Sequence, residues 1–403
     1  MGRSGEVRGA IAAGFLALLG AAACSSGGGA TTTELDLPTL GKLPGPVLAS
    51  PRVQPIYFKG FPYANDIDTF LTRLSASAYW PAVVAEYGVG ALSPAVGYPT
   101  NVPLPTPLTD KNLPDLLAAA LTEGAASLGP ARGDTIYALF FDPATTLTVM
   151  DMTLCARGQP SAYHDEWTIG GVQVPVAIVP SCPTFPGQAA LSPLEVLTLT
   201  LSHELVEAAT DPLVLTHPAW AGIDREHLLW AIGLNGAEIA DLCENELPLT
   251  ATPADLGYPV QRIWSNASAH AGTGPCVPVP EGEVYFQAVA EQPERGDFAS
   301  TTGKTYSLPV MRAGVGLDAS ARVTFRGGPD TPASLKAVAF EMDEDNSIAL
   351  GALVPVTGKL GQAPVSVSVG VSSRTTSGVV PLLVGATSGH GDFHLWVGGI
   401  NRK

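Results

Sequence analysis

Apolar and polar positions recur with different periods along the chain, and these periods predict a mixture of helices and strands. The stretch Ser192–Pro212 predicts a helix that is buried on most sides, because apolar residues occupy most of its positions. We expect Ser192 to cap this helix, with Pro193 in its first turn and Glu195 completing a capping box. Pro212 marks its end, since proline disfavours helical geometry at the preceding residue.

The remaining pattern predicts an α+β fold with two domains. Runs rich in Val, Ile, Phe and Tyr predict strands at 53–58, 135–141, 147–150 and 172–179. Residues 67–87 predict a pair of helices interrupted at Pro81, and residues 112–128 predict a helix rich in Leu and Ala. From about residue 281, short strand-like runs recur between Gly, Pro and Ser residues. We therefore predict a mixed α/β domain over residues 51–280 and a small immunoglobulin-like β-sandwich over residues 281–403.

The N-terminal residues have the pattern of an exported lipoprotein. Arg3 and Arg8 precede an apolar run, which is typical of a signal peptide over residues 1–23. Cys24 follows a sequence that resembles a bacterial lipobox, so we predict that it is lipidated and that residues 24–50 form a flexible tether. Ordinary cleavage after an Ala-x-Ala sequence is the alternative. The protein is then expected at a bacterial membrane, facing the periplasm or the cell exterior, with the lipid as its only membrane contact.

Composition and charge exclude some classes of partner. The 403 residues are 46% hydrophobic and 14% charged, which is typical of a folded globular protein. The net charge of −16 argues against nucleic-acid binding, which requires basic patches. Oligomeric state leaves no trace in the sequence.

Cysteine usage predicts two disulfides. When Cys24 is set aside, an even number remains in an exported chain, namely Cys155, Cys182, Cys243 and Cys276. Three connectivities are compatible with four cysteines. Sequential pairing, Cys155 with Cys182 and Cys243 with Cys276, is preferred because each pair closes a local loop. A zinc site built from all four thiolates is disfavoured, since no CxxC pair occurs.

Polar residues in the apolar helix suggest a metal site. His203 and Glu207 are four residues apart, so their side chains lie on one face of the helix, and Asp211 extends that face. This spacing resembles the HExxH motif, in which residues i and i+4 bind zinc and the intervening glutamate, here Glu204, activates water. Because Glu207 replaces the second histidine, calcium is the alternative ion. Ordinary hydrogen bonding of these buried groups is the non-metal alternative.

Two further segments supply candidate ligands. Glu238, some tens of residues beyond the helix, is a candidate third ligand, and Asp241 is a candidate for orienting a ligand histidine. A solvated acidic turn beside a disulfide is the alternative for this pair. His164 lies between Cys155 and Cys182, where it is either an additional ligand, a substrate contact or a solvated loop residue.

Several of these segments together resemble a set of uncharacterised bacterial exported proteins that are distantly similar to the plant EXORDIUM (phosphate-induced) family. The segments are Tyr163-His164, Ser202-His203-Glu204 with its continuation Glu207 to Pro212, Glu238 to Cys243, and Trp264-Ser265-Asn266. The resemblance covers roughly residues 51–280. It implies a secreted, disulfide-bonded wall or matrix protein with no settled enzymatic activity, whereas the His-Glu pair resembles zincin metallopeptidases.

Two hypotheses of function follow. In the first, the protein is a surface-anchored zincin-like metallohydrolase that acts on peptides or another cell-surface polymer. His203, Glu207 and Glu238 then hold zinc, and Glu204 is the general base. In the second, the protein is a non-catalytic extracellular binding protein, in which the carboxylates hold a structural cation or hydrogen-bond one another. A lipoprotein whose fold serves only as a spacer is a third possibility.

Overall fold

The structure is a computed structural model, and it divides the chain into two compact units. It describes residues 35–402 except 157–158, 186–187, 189, 235, 301–302, 315–318, 329–330, 333, 343–347, 350–355 and 371–377. The α/β unit consists of Lys42–Trp220 and Thr250–Arg262, and the β-rich unit consists of the segment ending at Gly41 together with Ala221–Leu249 and the residues from Ile263 onwards. The predicted signal peptide and lipidated Cys24 lie outside the described residues.

The boundaries of these two units differ from those of the predicted domains. Ala221–Leu249 forms one compact unit with the C-terminal strands, although it precedes the predicted boundary between residues 280 and 281. The mixture of helices and strands agrees with the predicted α+β class.

The α/β unit is built on a six-stranded, mostly parallel sheet. Its strands are Arg52–Tyr57 (β1), Ser93–Pro94 (β2), Tyr98–Pro99 (β3), Thr135–Phe140 (β4), Tyr163–Ile169 (β5) and Val172–Val179 (β6). They are ordered β2-β1-β4-β6-β5, with β3 also paired to β1, and only β5 runs antiparallel to its neighbour. Short strands Leu108–Thr109, Leu147–Val149 and Met152–Thr153 form a separate small sheet.

Helices cover this sheet on both faces, as the near-continuous burial of its central strands requires. The helices of the unit are Ala64–Ala76 (α1), Tyr79–Val84 (α2), Leu113–Glu123 (α3), Ala125–Leu128 (α4) and Pro193–Thr210 (α5). Leu117 and other apolar residues of α3 pack against one face, where alternate strand residues such as Leu139 and Ile178 form a core. Helix α5 packs against β5 and β6 and also contacts α1 and α2.

The central helix agrees closely with its prediction. Helix α5 begins after Ser192, whose backbone N–H donates to Glu195 Oε2 at 2.8 Å, and both halves of the capping box are present. The helix ends at Thr210, and Asp211, which precedes Pro212, is its C-cap. Every residue from Val196 to Thr210 is buried. Polar side chains on this helix therefore require partners inside the protein.

The β-rich unit contains two sheets that pack on each other. Its strands are Phe286–Ala290 (β7), Glu294–Ala299 (β8), Thr305–Ala313 (β9), Ala319–Gly327 (β10), Leu335–Met342 (β11), Ile348–Ala349 (β12), Val356–Gly358 (β13), Val365–Val369 (β14), Val379–Thr387 (β15) and His394–Arg402 (β16). A three-stranded sheet has the order β7-β10-β14, and a seven-stranded sheet has the order β8-β9-β16-β15-β11-β12 with β13 on β11. Strand β7 contacts β15 and β16.

Short elements complete both units. Leu228–Gly233 and Asn266–His270 are helices of the β-rich unit (α6 and α7), where Leu40–Gly41 pairs with Gly222–Ile223 and Ile263–Trp264 pairs with Cys276–Val277. In the α/β unit, Thr250–Ala251 pairs with Val260–Gln261. Within the described part of the chain, no helix has the length and apolar character needed to cross a membrane.

Both disulfides join the cysteines that the sequence pairs sequentially. Cys155 is bonded to Cys182 in the α/β unit, and Cys243 is bonded to Cys276 in the β-rich unit. The preferred connectivity is therefore confirmed, and each unit carries one covalent cross-link of its own.

Candidate metal site of the α/β unit

One turn of helix α5 brings an imidazole and a carboxylate together. Nε2 of His203 lies 3.1 Å from Oε2 of Glu207, one turn further along the helix. Their side chains are 9% and 4% exposed, so neither group has much water to solvate it. The predicted common face of residues i and i+4 is confirmed.

A second imidazole reaches this carboxylate from the neighbouring strand. His164 is on β5, and its Nδ1 lies 3.4 Å from the same Oε2 of Glu207 and 3.8 Å from Oε2 of Glu204. Side chains alternate along a strand, so His164 projects to the face opposite Tyr163 and Trp167, which pack with the core beneath α3. The solvated-loop alternative for His164 is wrong, because its side chain is only 4% exposed.

Gln261 fixes the orientation of the His203 ring. Its Oε1 lies 3.0 Å from Nδ1 of His203, and an amide oxygen can only accept, so Nδ1 carries the proton. The Gln261 backbone is itself held, because its N–H donates to Ser202 Oγ and its carbonyl accepts from the Tyr79 hydroxyl. In the neutral ring, Nε2 of His203 is therefore the nitrogen with the lone pair, and it faces the carboxylate of Glu207.

Nε2 of a neutral His203 and Oε2 of Glu207 would both be hydrogen-bond acceptors, and two acceptors at this distance repel each other. The contact therefore requires a proton on the imidazole nitrogen or a cation between the two atoms. Burial acts to raise the pKa of Glu207, but the charge of His203 and the hydrogen bonds from His164 and His203 outweigh it and hold the pKa below its usual range. The carboxylate is therefore ionised. Its second oxygen, Oε1, is buried and has no hydrogen-bond partner among the described residues. An unsatisfied buried carboxylate oxygen is costly, and a bound cation would satisfy it.

The donor set suits a transition metal. Ligand atoms of His203, Glu204 and Glu207 all lie within 4.8 Å of one another. With His164 added, the cluster offers two imidazole nitrogens and two carboxylates. Two histidines and one glutamate are a known ligand set of catalytic zinc, whereas calcium binds oxygen ligands almost exclusively. These residues fit zinc better than calcium.

Asp211, next to the cluster, holds the chain segment that follows helix α5. Oδ1 of Asp211, at the end of α5, accepts the backbone N–H of Ala219 at 2.7 Å, and Oδ2 is buried with no hydrogen-bond partner among the described residues. Burial, together with the charges of Glu207 and Glu166, raises the pKa of Asp211 to about 6, although Ala219 and His164 act against this. Asp211 ties the chain that follows α5 back to the end of the helix.

The other predicted site residues belong to the β-rich unit. Glu238 is 4% exposed, so the solvated-turn alternative does not describe it. Asp241 begins a short 3₁₀ helix, Asp241–Cys243, and its Oδ2 accepts the Glu238 backbone N–H at 3.1 Å. The site described here is formed by residues of the α/β unit alone, and the predicted ligand role of Glu238 stays a prediction.

Gln261 is the residue of this cluster that the sequence pattern did not indicate. It lies on a two-residue strand far from the helix in sequence, and nothing in its local pattern distinguishes it from an ordinary polar residue. His164 and Glu207 are both predicted as candidate ligands, but their contact follows from the pairing of β5 with β6 and the packing of α5 on these strands.

Comparisons with known proteins return only weak similarities. No family model matches the chain, and no curated protein matches it significantly. Catalytically inactive OgpA from Akkermansia muciniphila, solved with an O-glycopeptide substrate, is 10% identical with a TM-score of 0.23, over 92% of this chain and 98% of that chain. Wild-type OgpA is 11% identical with a TM-score of 0.25, over 90% of this chain and 95% of that chain. Similarity at this level supports no conclusion about fold or function.

Proposed function

We propose that the α/β unit is a zincin-like metallohydrolase of the peptidase type. The observation that supports this most directly is the approach of His164 Nδ1 and His203 Nε2 to one carboxylate oxygen of Glu207. The histidine that the HExxH-like motif lacks on the helix is thereby replaced by one from a neighbouring strand. His164, His203 and Glu207 would hold the ion, which would supply Lewis acidity.

Glu204 has the position of a general base in this proposal. Its Oε2 lies 3.8 Å from Nδ1 of His164, and its carboxylate is a neighbour of Glu207 on the helix surface, three residues before it. In this role Glu204 would take a proton from the attacking water and pass it to the leaving group. Gln261 has a positioning role, because it keeps the proton of His203 on Nδ1.

Metal content and turnover test this proposal together. The full chain would be stripped with a chelator, reloaded with zinc or calcium, and examined by elemental analysis and by cleavage of a peptide library. We expect one equivalent of zinc, and a Glu204→Gln variant that retains zinc but loses at least 100-fold in turnover. Glu86→Gln, which changes an exposed carboxylate of the same unit, is the matched control. Stoichiometric calcium without turnover, or unaltered turnover in Glu204→Gln, contradicts the proposal.

A non-catalytic cation site is the second candidate, and the burial of the cluster favours it. The four side chains are between 4% and 9% exposed, whereas a catalytic site must admit substrate. A structural ion predicts a different result. Stripping the metal would lower the melting temperature, and Glu204→Gln would change metal content rather than turnover.

We also propose that the chain is exported and anchored through Cys24. The two disulfides support this, since such bonds persist in oxidising compartments and are rare in the cytosol. Mass spectrometry of the mature N-terminus tests the lipid, and Cys24→Ala should move the protein from the membrane fraction to the soluble fraction. The two packed sheets of the β-rich unit support the proposal of an immunoglobulin-like β-sandwich.

A further inference from the structure

Residues 36–41 lie on the β-rich unit as an extended peptide. Leu40 and Gly41 pair antiparallel with Ile223 and Gly222. The two paired segments are far apart in sequence. Residues 36–41 therefore add a strand to a surface that later parts of the chain form.

Two amide side chains hold the backbone of this segment. Gln287 Oε1 accepts the Asp36 N–H at 2.9 Å, and Gln287 Nε2 donates to the Asp36 carbonyl at 3.3 Å. Asn266 repeats this arrangement at Leu40, where Oδ1 accepts the N–H at 3.0 Å and Nδ2 donates to the carbonyl at 2.8 Å. Each amide therefore binds the donor and the acceptor of a single residue, as a neighbouring β-strand would.

A third residue binds the backbone between these two positions. The Thr39 N–H donates to Oδ2 of Asp224 at 2.8 Å, and the Asp224 N–H donates to the Thr39 carbonyl at 3.0 Å. Main-chain hydrogen bonds of this kind depend little on the side chains of the bound segment. They are the usual source of affinity where a protein binds an extended peptide, while side-chain pockets supply specificity.

Two side chains of the segment occupy specific positions. Asp36 Oδ1 lies 3.2 Å from Nε2 of His227, and its Oδ2 accepts Nε1–H of Trp396 at 3.1 Å. Burial acts to lower the pKa of His227, but hydrogen bonds to Asp224 and Asp36 outweigh it and raise the pKa to about 9, so the imidazole is charged at neutral pH. Leu40, four residues further along, is 1% exposed. An acidic residue and a leucine at this spacing are thus recognised.

The position of Asp36 offers more room than an aspartate fills. Asp36 borders a cavity of about 390 Å³ whose lining includes His227, Arg326 and Trp396, and also the carboxylates of Glu226 and Glu291. Burial acts to raise the pKa of Asp36, but the hydrogen bond to His227 and the charges of His227 and Arg326 outweigh it and lower the pKa. A glutamate at this position would have space in the cavity and would keep a carboxylate for His227 and Trp396, whereas a lysine would place its ammonium against the charged imidazole of His227.

We propose that the β-rich unit contains a binding groove for extended peptides of the pattern Asp/Glu-x-x-x-Leu, and that residues 36–41 are its intramolecular occupant. The groove is formed by Gly222–Ile223, Asp224, His227, Asn266, Gln287 and Trp396. It takes a peptide from another chain when its own segment is displaced. This inference concerns the β-rich unit and does not depend on the proposed metallohydrolase.

Binding of a synthetic peptide tests the groove. The probe is a fluorescein-labelled peptide of residues 35–42, Leu-Asp-Leu-Pro-Thr-Leu-Gly-Lys. The tethered segment competes at a high effective concentration, so we expect the full-length Asp36→Ala/Leu40→Ala variant to bind the probe at least 10-fold more tightly than the wild-type chain. Adding Gln287→Ala to this variant should weaken binding again by at least 10-fold. A probe with Glu at the Asp position should bind, and one with Lys should not.

Equal binding of the probe by wild type and the released variant, or binding that ignores Gln287→Ala and the Asp-to-Lys change, would overturn the proposal. Hydrogen exchange of the unmodified chain gives an independent measurement if the released variant does not fold. The amides of Asp36, Thr39 and Leu40 donate within the groove, so an excess of the Asp probe should accelerate their exchange, and the Lys probe should not. Identical exchange with both probes at millimolar concentration counts against a displaceable segment.

Discussion

Nδ1 of His164, on strand β5, lies 3.4 Å from Oε2 of Glu207, on helix α5. This contact joins two elements that lie on either side of β6 in sequence, and it adds a second imidazole to the pair that the helix provides by itself. An imidazole pair that converges on one carboxylate oxygen is the arrangement on which the proposed metal site depends.

Removal of the strand histidine should therefore reduce metal binding. We expect His164→Ala to lower zinc affinity at least 10-fold, because the site loses a nitrogen ligand and retains only His203 as an imidazole. Competition with a zinc-sensitive chelating dye measures the affinity. His217→Ala changes an exposed histidine of the same unit and should leave the affinity as it is. Equal affinities for wild type and His164→Ala would exclude His164 as a ligand.

Gln261 should affect metal binding without touching the ion. Its Oε1 accepts from Nδ1 of His203, so Gln261→Met removes the acceptor that fixes the tautomer, at similar side-chain volume. A loss of 10- to 100-fold in zinc affinity is the usual size of such an effect. Gln261→Glu keeps an acceptor and should retain most of the affinity. If both variants bind zinc equally well, the hydrogen bond to His203 has no positioning role.

The disulfide between Cys155 and Cys182 should stabilise the site as well as the fold. It closes a loop that carries His164, with a sequence separation of 27 residues, and chain-entropy arguments assign such a loop about 3–4 kcal/mol. The double substitution Cys155→Ser/Cys182→Ser should reduce the free energy of unfolding by that order and also weaken zinc binding.

The disulfide between Cys243 and Cys276 provides the control, since it lies in the β-rich unit. Cys243→Ser/Cys276→Ser should lower stability while leaving zinc affinity in the α/β unit unchanged. Chemical denaturation and dye competition measure the two quantities separately. Equal losses of zinc affinity in both double variants would contradict a specific link between the first disulfide and His164.

His227 should make the stability of the β-rich unit depend on pH on the alkaline side. Its pKa is raised from 6.5 to about 9, because the hydrogen bonds to Asp224 and Asp36 outweigh burial. Protonated His227 therefore stabilises the folded state. This contribution to the free energy of unfolding is fully present below pH 6.5 and is lost as the pH rises through about 9. The urea midpoint should therefore fall between pH 7 and pH 9.5.

The expected loss of unfolding free energy follows from this pKa shift. At about 1.4 kcal/mol per pKa unit, the loss is on the order of 3 kcal/mol. His227→Gln should flatten the pH profile, whereas His270→Gln, which changes an exposed histidine of the same unit, should not. The same profile for wild type and His227→Gln would show that the charge of His227 does not stabilise the fold.

The sequence by itself determined those features that depend on residues close together along the chain. The cap, the first-turn proline and the terminal proline fixed helix α5 to within a residue or two, because capping and steric effects act between near neighbours. Sequential disulfide pairing was also accessible, since each pair spans a short loop. The i, i+4 spacing placed His203 and Glu207 together for the same reason.

Only the tertiary structure decided which other groups meet that helix. His164 reaches Glu207 because β5 pairs with β6 and α5 packs on both strands, and Gln261 reaches His203 from a two-residue strand. The segment ending at Gly41 is held by residues as distant as Gln287. Sheet order and packing are set by burial summed over the whole chain, so no local pattern specifies them. The sequence alone determined that one helix carries an imidazole and a carboxylate on one face, and the fold decided what surrounds them.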